Sequence, residues 1–369
     1  MSIASSVAQP SAAVPRDANL DLLRATAIVL VLVYHVVGMW PVEQPLVQRI
    51  AVLGKHGVDL FFVLSGFLIG GLYFRELRQW GRVDGLTFWL RRAIRTMPPY
   101  FVALAAVYAA VWAARREPFD TAYLWFGQNY RPQLPFFQAS WSLCVEEHAY
   151  VAMVLGLGWF VARRWTVGPL LVAVCMAAAV MPVVDALVRR WGGWPACESA
   201  THLWFGGIAM GVLASWARVF HAPLWQRARW WCGLVWPLPL GLACALALAG
   251  DACQPWVPFA MACGCAAVLV AVADRAPLPL ATARLTRAIA LASYSTYLTH
   301  GLVIHVGRLL KTRFPRVPDP VMFVVWVALI AVAAAAFYWL VERTSIIVRD
   351  RLVPRPTSAR PGTPPGSLG

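Results

Sequence analysis

The chain has 369 residues, 60% of them hydrophobic and only 13% charged, with a mean hydropathy of +0.62. Soluble domains carry roughly 25% charged residues, so this composition excludes an ordinary soluble protein and points to a polytopic helical membrane protein. The net charge of +15 does not indicate a nucleic-acid partner, because the arginines that produce it fall in the gaps between apolar runs, where topology signals lie.

Residues 1–18 read as a disordered cytoplasmic tail, without the basic start and short apolar core of a secretory signal. Ten apolar stretches follow, about 15–21 residues long and nearly all sufficient for about 30 Å of hydrocarbon. They lie near 22–40, 58–74, 98–114, 143–161, 168–185, 203–217, 230–249, 255–273, 288–307 and 321–341, the sixth being the shortest. Residues 346–369, rich in Pro and Gly, read as a second disordered cytoplasmic tail. One all-α transmembrane domain over 19–345 remains. With the N-terminus inside, 21 of the 32 Lys and Arg fall on the inner side and 11 outside, which supports both termini inside. The four basic residues after the ninth stretch run against that bias.

The first stretch carries Arg24 at its inner end and His35 deep within. Eleven residues apart, they share a helix face to within about 20° and are separated by roughly 16 Å. An ionisable group in lipid is a functional suspect, and a neutral histidine bonded to a neighbouring helix is the plain alternative. Asp59 opens the second stretch, and neighbouring His56 reads as a loop residue at the membrane surface, with a place beside Asp59 in the outer site as the alternative. Arg91, Arg92 and Arg95 stand just before the third stretch, with Pro98 and Pro99 expected to open its helix. Most of this cluster reads as topology or headgroup binding, yet an Arg-x-x-Arg pair against a helix start would also clamp phosphate. The fourth stretch begins WSLCVEEHAY, placing Ser142, Glu146 and Tyr150 on one face. Glu146 is expected about one turn below the outer surface, in a layer with His35 and Asp59.

The remaining polar residues have plainer readings. His148 reads as structural or acceptor-contacting, and His202, His300 and His305 as helix-packing groups. The segment 117–141, with Tyr123, Trp125, Tyr130 and Trp141, reads equally as an interfacial belt or a sugar-stacking platform, while Trp40, Trp80 and Trp256 read as interface anchors. The eight cysteines lack metal-ligand spacing and no HExxH occurs, so no metal is expected; Cys197 and Cys253 fall in short loops, where a disulfide is the alternative to two free thiols.

An arginine layer inside and a histidine about 16 Å away match an elongated phosphate-headed donor such as coenzyme A. The imidazole would act as general base on an acceptor hydroxyl or take the acyl group transiently, and Glu146 would orient it.

The chain resembles the acyltransferase-3 family of integral-membrane acyltransferases. Four stretches carry the resemblance: LDLLRATAIVLVLVYH with Arg24 and His35, GVDLFFVLSGFLIGG at 57–71, RRAIRTMPPY with Arg92 and Arg95, and WSLCVEEHAY with Ser142 and Glu146. LASYSTYLTH (291–300) and YWLVER (338–343) are similar to the family's closing helices. The resemblance implies acyl transfer, usually acetyl from cytoplasmic acetyl-CoA, to a hydroxyl of an exported or cell-surface polysaccharide or its lipid-linked precursor. It implies a multi-pass protein of the bacterial inner membrane, with acyl-CoA, saccharide and bilayer as partners and no permanently bound cofactor. His35 would be catalytic with Glu146, Arg24, Arg92 and Arg95 would bind acyl-CoA, and Asp59, Ser142 and Tyr150 would support the acceptor side.

The chain departs from the family wording at His148-Ala149, at Trp204 and Gly206, and at Thr344 after Glu342-Arg343. No esterase-like domain follows the last stretch. A transporter or flippase with His35 and Glu146 as a proton relay is the alternative from another class, and acylation of a small hydrophobic metabolite is the alternative enzyme.

Overall fold

The computed structural model describes residues 17–38, 45–192, 197–249, 251–276 and 278–354. Thirteen helices are described: α1 (Ala18–Val37), α2 (Pro45–Leu53), α3 (Gly57–Trp80), α4 (Gly85–Arg115), α5 (Trp141–Ala162), α6 (Val167–Gly192), α7 (Thr201–Phe220), α8 (Ala222–Val235), α9 (Pro237–Leu248), α10 (Val257–Val272), α11 (Leu280–Arg313), α12 (Asp319–Phe337) and α13 (Arg343–Leu352). No strand occurs among the described residues, as expected where every backbone polar group must be satisfied within its own segment. Among them, eight helices are long and apolar enough to cross a membrane, or nine when α8 and α9, bent by 57°, count as one broken span. The 34-residue α11 is long enough too, but basic residues crowd its ends. The chain is a multi-pass helical membrane protein, and roughly ten spans fit it.

Helix ends obey local chemistry. Asp17 caps α1 by accepting from the Asn19 N–H at 2.9 Å. Asp84 caps α4 twice, from the Thr87 N–H at 3.1 Å and the Thr87 hydroxyl at 2.8 Å. That cap moves the start of α4 to Gly85, thirteen residues before Pro98, so the prolines do not open the helix. They lie inside it and deprive the carbonyls of Ile94 and Arg95 of their helical donors. Next to this break the Tyr294 hydroxyl of α11 donates to the Thr96 carbonyl at 2.7 Å, the kind of neighbour that lets membrane helices tolerate proline. Arg92 and Arg95 therefore sit well inside a helix, about 10–15 Å from its start, beyond the reach of its own N-terminus.

The tightest seam joins α3 and α7. Gly66 and Gly70 face Gly207, Gly211 and Ser215, a small-residue stripe at four-residue spacing on both helices. A Cβ at Gly66 would overlap the Ile208 carbonyl, and one at Gly211 would overlap the Val63 carbonyl and stand 2.6 Å from the Phe67 nitrogen. Small residues permit this backbone approach, and in lipid such packing replaces the hydrophobic drive available in water. Phe62, Val63 and Phe67 are consequently sealed from the surroundings.

At the C-terminal end the chain stays helical past 346, where a tail was expected. A π-helical turn, Tyr338–Glu342, leads into α13. Arg91 holds α13 through Asp350 at 2.8 Å and through the Val353 carbonyl. Of the expected tails at 1–18 and 346–369, residues 1–16 and 355–369 lie outside what is described, as do Trp40 and the Cys253 side chain.

The seam yields a contrast. Gly211→Ala should destabilise the protein by about 1–3 kcal/mol through overpacking. Gly156→Ala, where a Cβ would meet nothing within 4 Å, should not. Melting temperatures of the two variants in detergent micelles measure the difference, and equal values would contradict the tight seam.

Candidate active site

α1, α3, α4, α5 and α11 with the π-helical turn enclose a cavity of about 290 Å³. Its wall carries four arginines, Arg24, Arg75, Arg92 and Arg95, together with Ser65, Ser142, Glu146, Tyr294, Tyr297 and Glu342. A cluster of cations this dense in a low-dielectric region needs anionic partners, and the chain supplies two.

The first is Glu146. Arg92 Nη2 donates to Glu146 Oε2 at 3.1 Å and to the Tyr150 hydroxyl at 2.9 Å. The Tyr150 hydroxyl donates to the same Glu146 oxygen at 2.7 Å, and Ser65 donates to Oε1 at 3.2 Å. The Arg92 guanidinium also lies 4.6 Å from the Tyr150 ring centroid, a cation–π contact. The second is Glu342, 1% exposed in the π-helical turn, which faces Arg95 at 3.8 Å and accepts from Ser295 at 2.6 Å. Glu147, also buried, accepts from Thr96 at 3.0 Å.

These contacts redraw the layers expected from sequence. Glu146 belongs with the arginines, because α4 carries Arg92 to the same level. Its hydrogen bonds run to Ser65, Arg92 and Tyr150, and His35 is not among its partners. Arg24, Arg92, Arg95, Ser142 and Glu146 line one cavity, whereas His35, Asp59 and Tyr150 are not part of its lining. Asp59 is buried, and its carboxylate meets His56 Nδ1 at 2.8 Å. His56 is itself 6% exposed, so it is a core residue rather than a loop residue at the surface.

His35 stands beyond the cavity wall. Its Nδ1 lies 2.8 Å from the Val31 carbonyl one turn earlier. A carbonyl only accepts, so Nδ1 carries the proton and Nε2 keeps its lone pair. The imidazole is therefore in the tautomer a general base requires. Its neighbour is His300 of α11, with ring centroids 4.8 Å apart and planes 69° apart. Tyr297, three residues before His300, shares a 2.6 Å hydrogen bond with Ser142 and donates to the Ala139 carbonyl at 3.0 Å. α11 thus presents Tyr294, Tyr297 and His300 in a row that runs from the arginine cavity to His35.

Sequence reading missed Ser65, Glu147, Tyr294, Tyr297 and Glu342 and gave His300 only a packing role. The usable signal was the polar spacing in LASYSTYLTH, where tyrosines and histidine three residues apart are neighbours pair by pair along the helix.

Outside the spans, the segment 117–140 folds over this region. Arg131 grips Asp120 with Nε at 3.0 Å and Nη2 at 3.1 Å. Asn129 donates to Thr201 at 2.8 Å, and His148 Nδ1 lies 2.7 Å from the same hydroxyl. Trp125 and Tyr130 stay exposed, whereas Tyr123 is fully buried, so only part of this aromatic segment is open to a ligand.

Comparison with known proteins gives the same direction. A family described as "Acyltransferase domain" matches residues 17–343. A 170-residue segment is 28% identical to the Staphylococcus aureus (strain COL) protein named "Putative O-acetyltransferase", covering 41% of this chain and 26% of that protein. A segment of 89 residues is 35% identical to the O-acetyltransferase OatA of Staphylococcus aureus (strain NCTC 8325), covering 24% of this chain and 13% of that protein. The chain thus spans about a quarter or less of the length of these relatives. No solved structure matches.

Two outcomes are expected. Arg92→Ala should cost about 3–5 kcal/mol by stranding Glu146, at the low end because the pair is 19% and 15% exposed. Adding Glu146→Gln should recover part of that loss, and a detergent-denaturation double-mutant cycle would read it as coupling. Separately, the Arg131 hydrogen bonds hold the Asp120 carboxyl below its ordinary value of 3.8. A depressed folded value means the stabilisation is present above the unfolded pKa and is lost as pH falls through the lower, folded one. Melts at pH 7 and pH 3 should therefore show a smaller pH loss for Asp120→Asn than for the wild type.

Proposed function

The chain belongs to the acyltransferase-3 family, and from that premise we propose that it is an O-acetyltransferase. It moves acetyl from acyl-CoA to a hydroxyl of an exported or cell-surface polysaccharide or its lipid-linked precursor. The observation that supports this reading is the cavity itself: four arginines, two carboxylates and three serines on one wall, with an imidazole in the general-base tautomer just beyond it. Arginine forks suit the phosphates of coenzyme A. At about 290 Å³ the cavity lies at the small end of ligand pockets, so it would take part of the donor and not the whole molecule.

In the proposed step the acceptor hydroxyl gives its proton to His35 Nε2 while its oxygen attacks the thioester carbonyl carbon. The C–S bond breaks, and the departing thiolate takes the proton from His35 to leave as free coenzyme A. Glu146 does not orient the imidazole; it fixes Arg92, which with Arg24 and Arg95 holds the donor. Ser142 and Tyr297 supply hydroxyls near the reacting end. The protein works in the bacterial inner membrane with both termini in the cytoplasm, so the donor enters from the cytoplasm and the acceptor from the opposite side. Alkaline phosphatase fusions to the two termini read that orientation.

NMR of the surface polysaccharide tests the reading. Cells lacking the gene should lose an O-acyl signal that returns with the wild-type gene and fails to return with His35→Ala expressed at the same membrane level. Unchanged O-acylation in the deletion strain would rule out the proposed acceptor class, and full rescue by His35→Ala would remove His35 from the chemistry.

A further inference from the structure

Glu146 is committed to Arg92, Tyr150 and Ser65, so another group must hold the ring of His35. His300 meets that description. It is 1% exposed, on α11, and its ring is 4.8 Å from that of His35 at 69°. Its Nδ1 lies 2.7 Å from the Tyr297 carbonyl and 3.3 Å from the Thr296 carbonyl. Carbonyls only accept, so Nδ1 carries the proton and the ring is fixed against its own helix. The neighbouring Tyr297 ring, 5.6 Å away, reaches Ser142 in the cavity.

We propose that His300 is the positioning residue for His35, holding its ring edge-to-face and offering a neutral, electron-rich partner to the imidazolium that forms during acyl transfer. This rests on the acyltransferase reading above. Two features of the geometry carry it. First, on its own helix the His35 ring meets the Val31 carbonyl and, at 4.9 Å, the Tyr34 ring, and a ring contact from another helix fixes it from the other element. α11 supplies that contact, and α1 and α11 are close neighbours along their length. Second, an imidazolium formed in a region of low dielectric is costly unless electron density faces it. A neutral ring whose π face meets the cation supplies that density, and His300 lies within cation–π range of His35 at 4.8 Å. Because His300 is pinned by two carbonyls, it pays little ordering cost when the charge appears.

The test uses the full chain in nanodiscs. CoA release from acetyl-CoA is followed by chromatography, with exported polysaccharide of the host as acceptor. His300→Leu fills the space but has no π face, and His300→Phe restores the ring. His300→Leu should lower kcat at least about tenfold while KM for acetyl-CoA stays within about twofold, and His300→Phe should recover most of the rate. A purely structural role would move KM and thermal stability together with kcat, and would not discriminate Leu from Phe in this way. Wild-type kcat in His300→Leu, beside an inactive His35→Ala, would overturn the assignment to His300 alone. A wild-type chain that releases no CoA from acetyl-CoA would overturn the acyltransferase reading on which it rests.

Discussion

The pairing of Arg92 with Glu146 is the constraint on which the rest of this region depends. A guanidinium inside a membrane domain cannot shed its proton, and so must be neutralised by a fixed anion. Glu146 and Tyr150 from α5 provide that anion and its hydrogen-bonded support, with Ser65 of α3 taking the other carboxylate oxygen. One charge pair thereby fixes the relative position of three helices. The cavity is the space left between them when that pair has formed. The second pair, Arg95 with Glu342, closes the same enclosure from the π-helical turn. Such turns widen a helix locally and often mark functional sites, and here the turn directs a carboxylate inward that a regular helix would carry elsewhere.

Charge pairing holds the arginine side of the cavity, and close backbone contact holds the opposite wall. The glycine stripes of α3 and α7 bring the two backbones together so closely that neither helix can shift along the other. That rigidity matters for Ser65 and Phe62, which stand on α3 at the cavity edge. α11 completes the arrangement: Tyr294 braces the proline break in α4, Tyr297 joins Ser142, and His300 meets His35. A single helix thus links the cation-rich cavity with His35.

The sequence by itself determined the membrane class, the positions of most helices and the identity of the residues most worth watching. Each of these depends on local properties. Apolar length decides spanning, and the four-residue spacing of Ser142, Glu146 and Tyr150 decides that they share a face. The resemblance to a family of membrane acyltransferases was carried by four short motifs, all within the matched residues 17–343. The tertiary structure alone decided which of these residues meet. Local reading placed Glu146 beside His35, since both were assigned to one leaflet by their distance from helix ends. The structure instead pairs Glu146 with Arg92 at 3.1 Å, because α4 begins at Gly85 and carries the arginines about two to three turns inside the helix. Between two candidate partners, the guanidinium with its permanent charge takes the carboxylate, and the histidine is left to a neutral neighbour on α11. That neighbour, His300, is separated from His35 by 265 positions, and no periodicity within either helix reports a contact made between them.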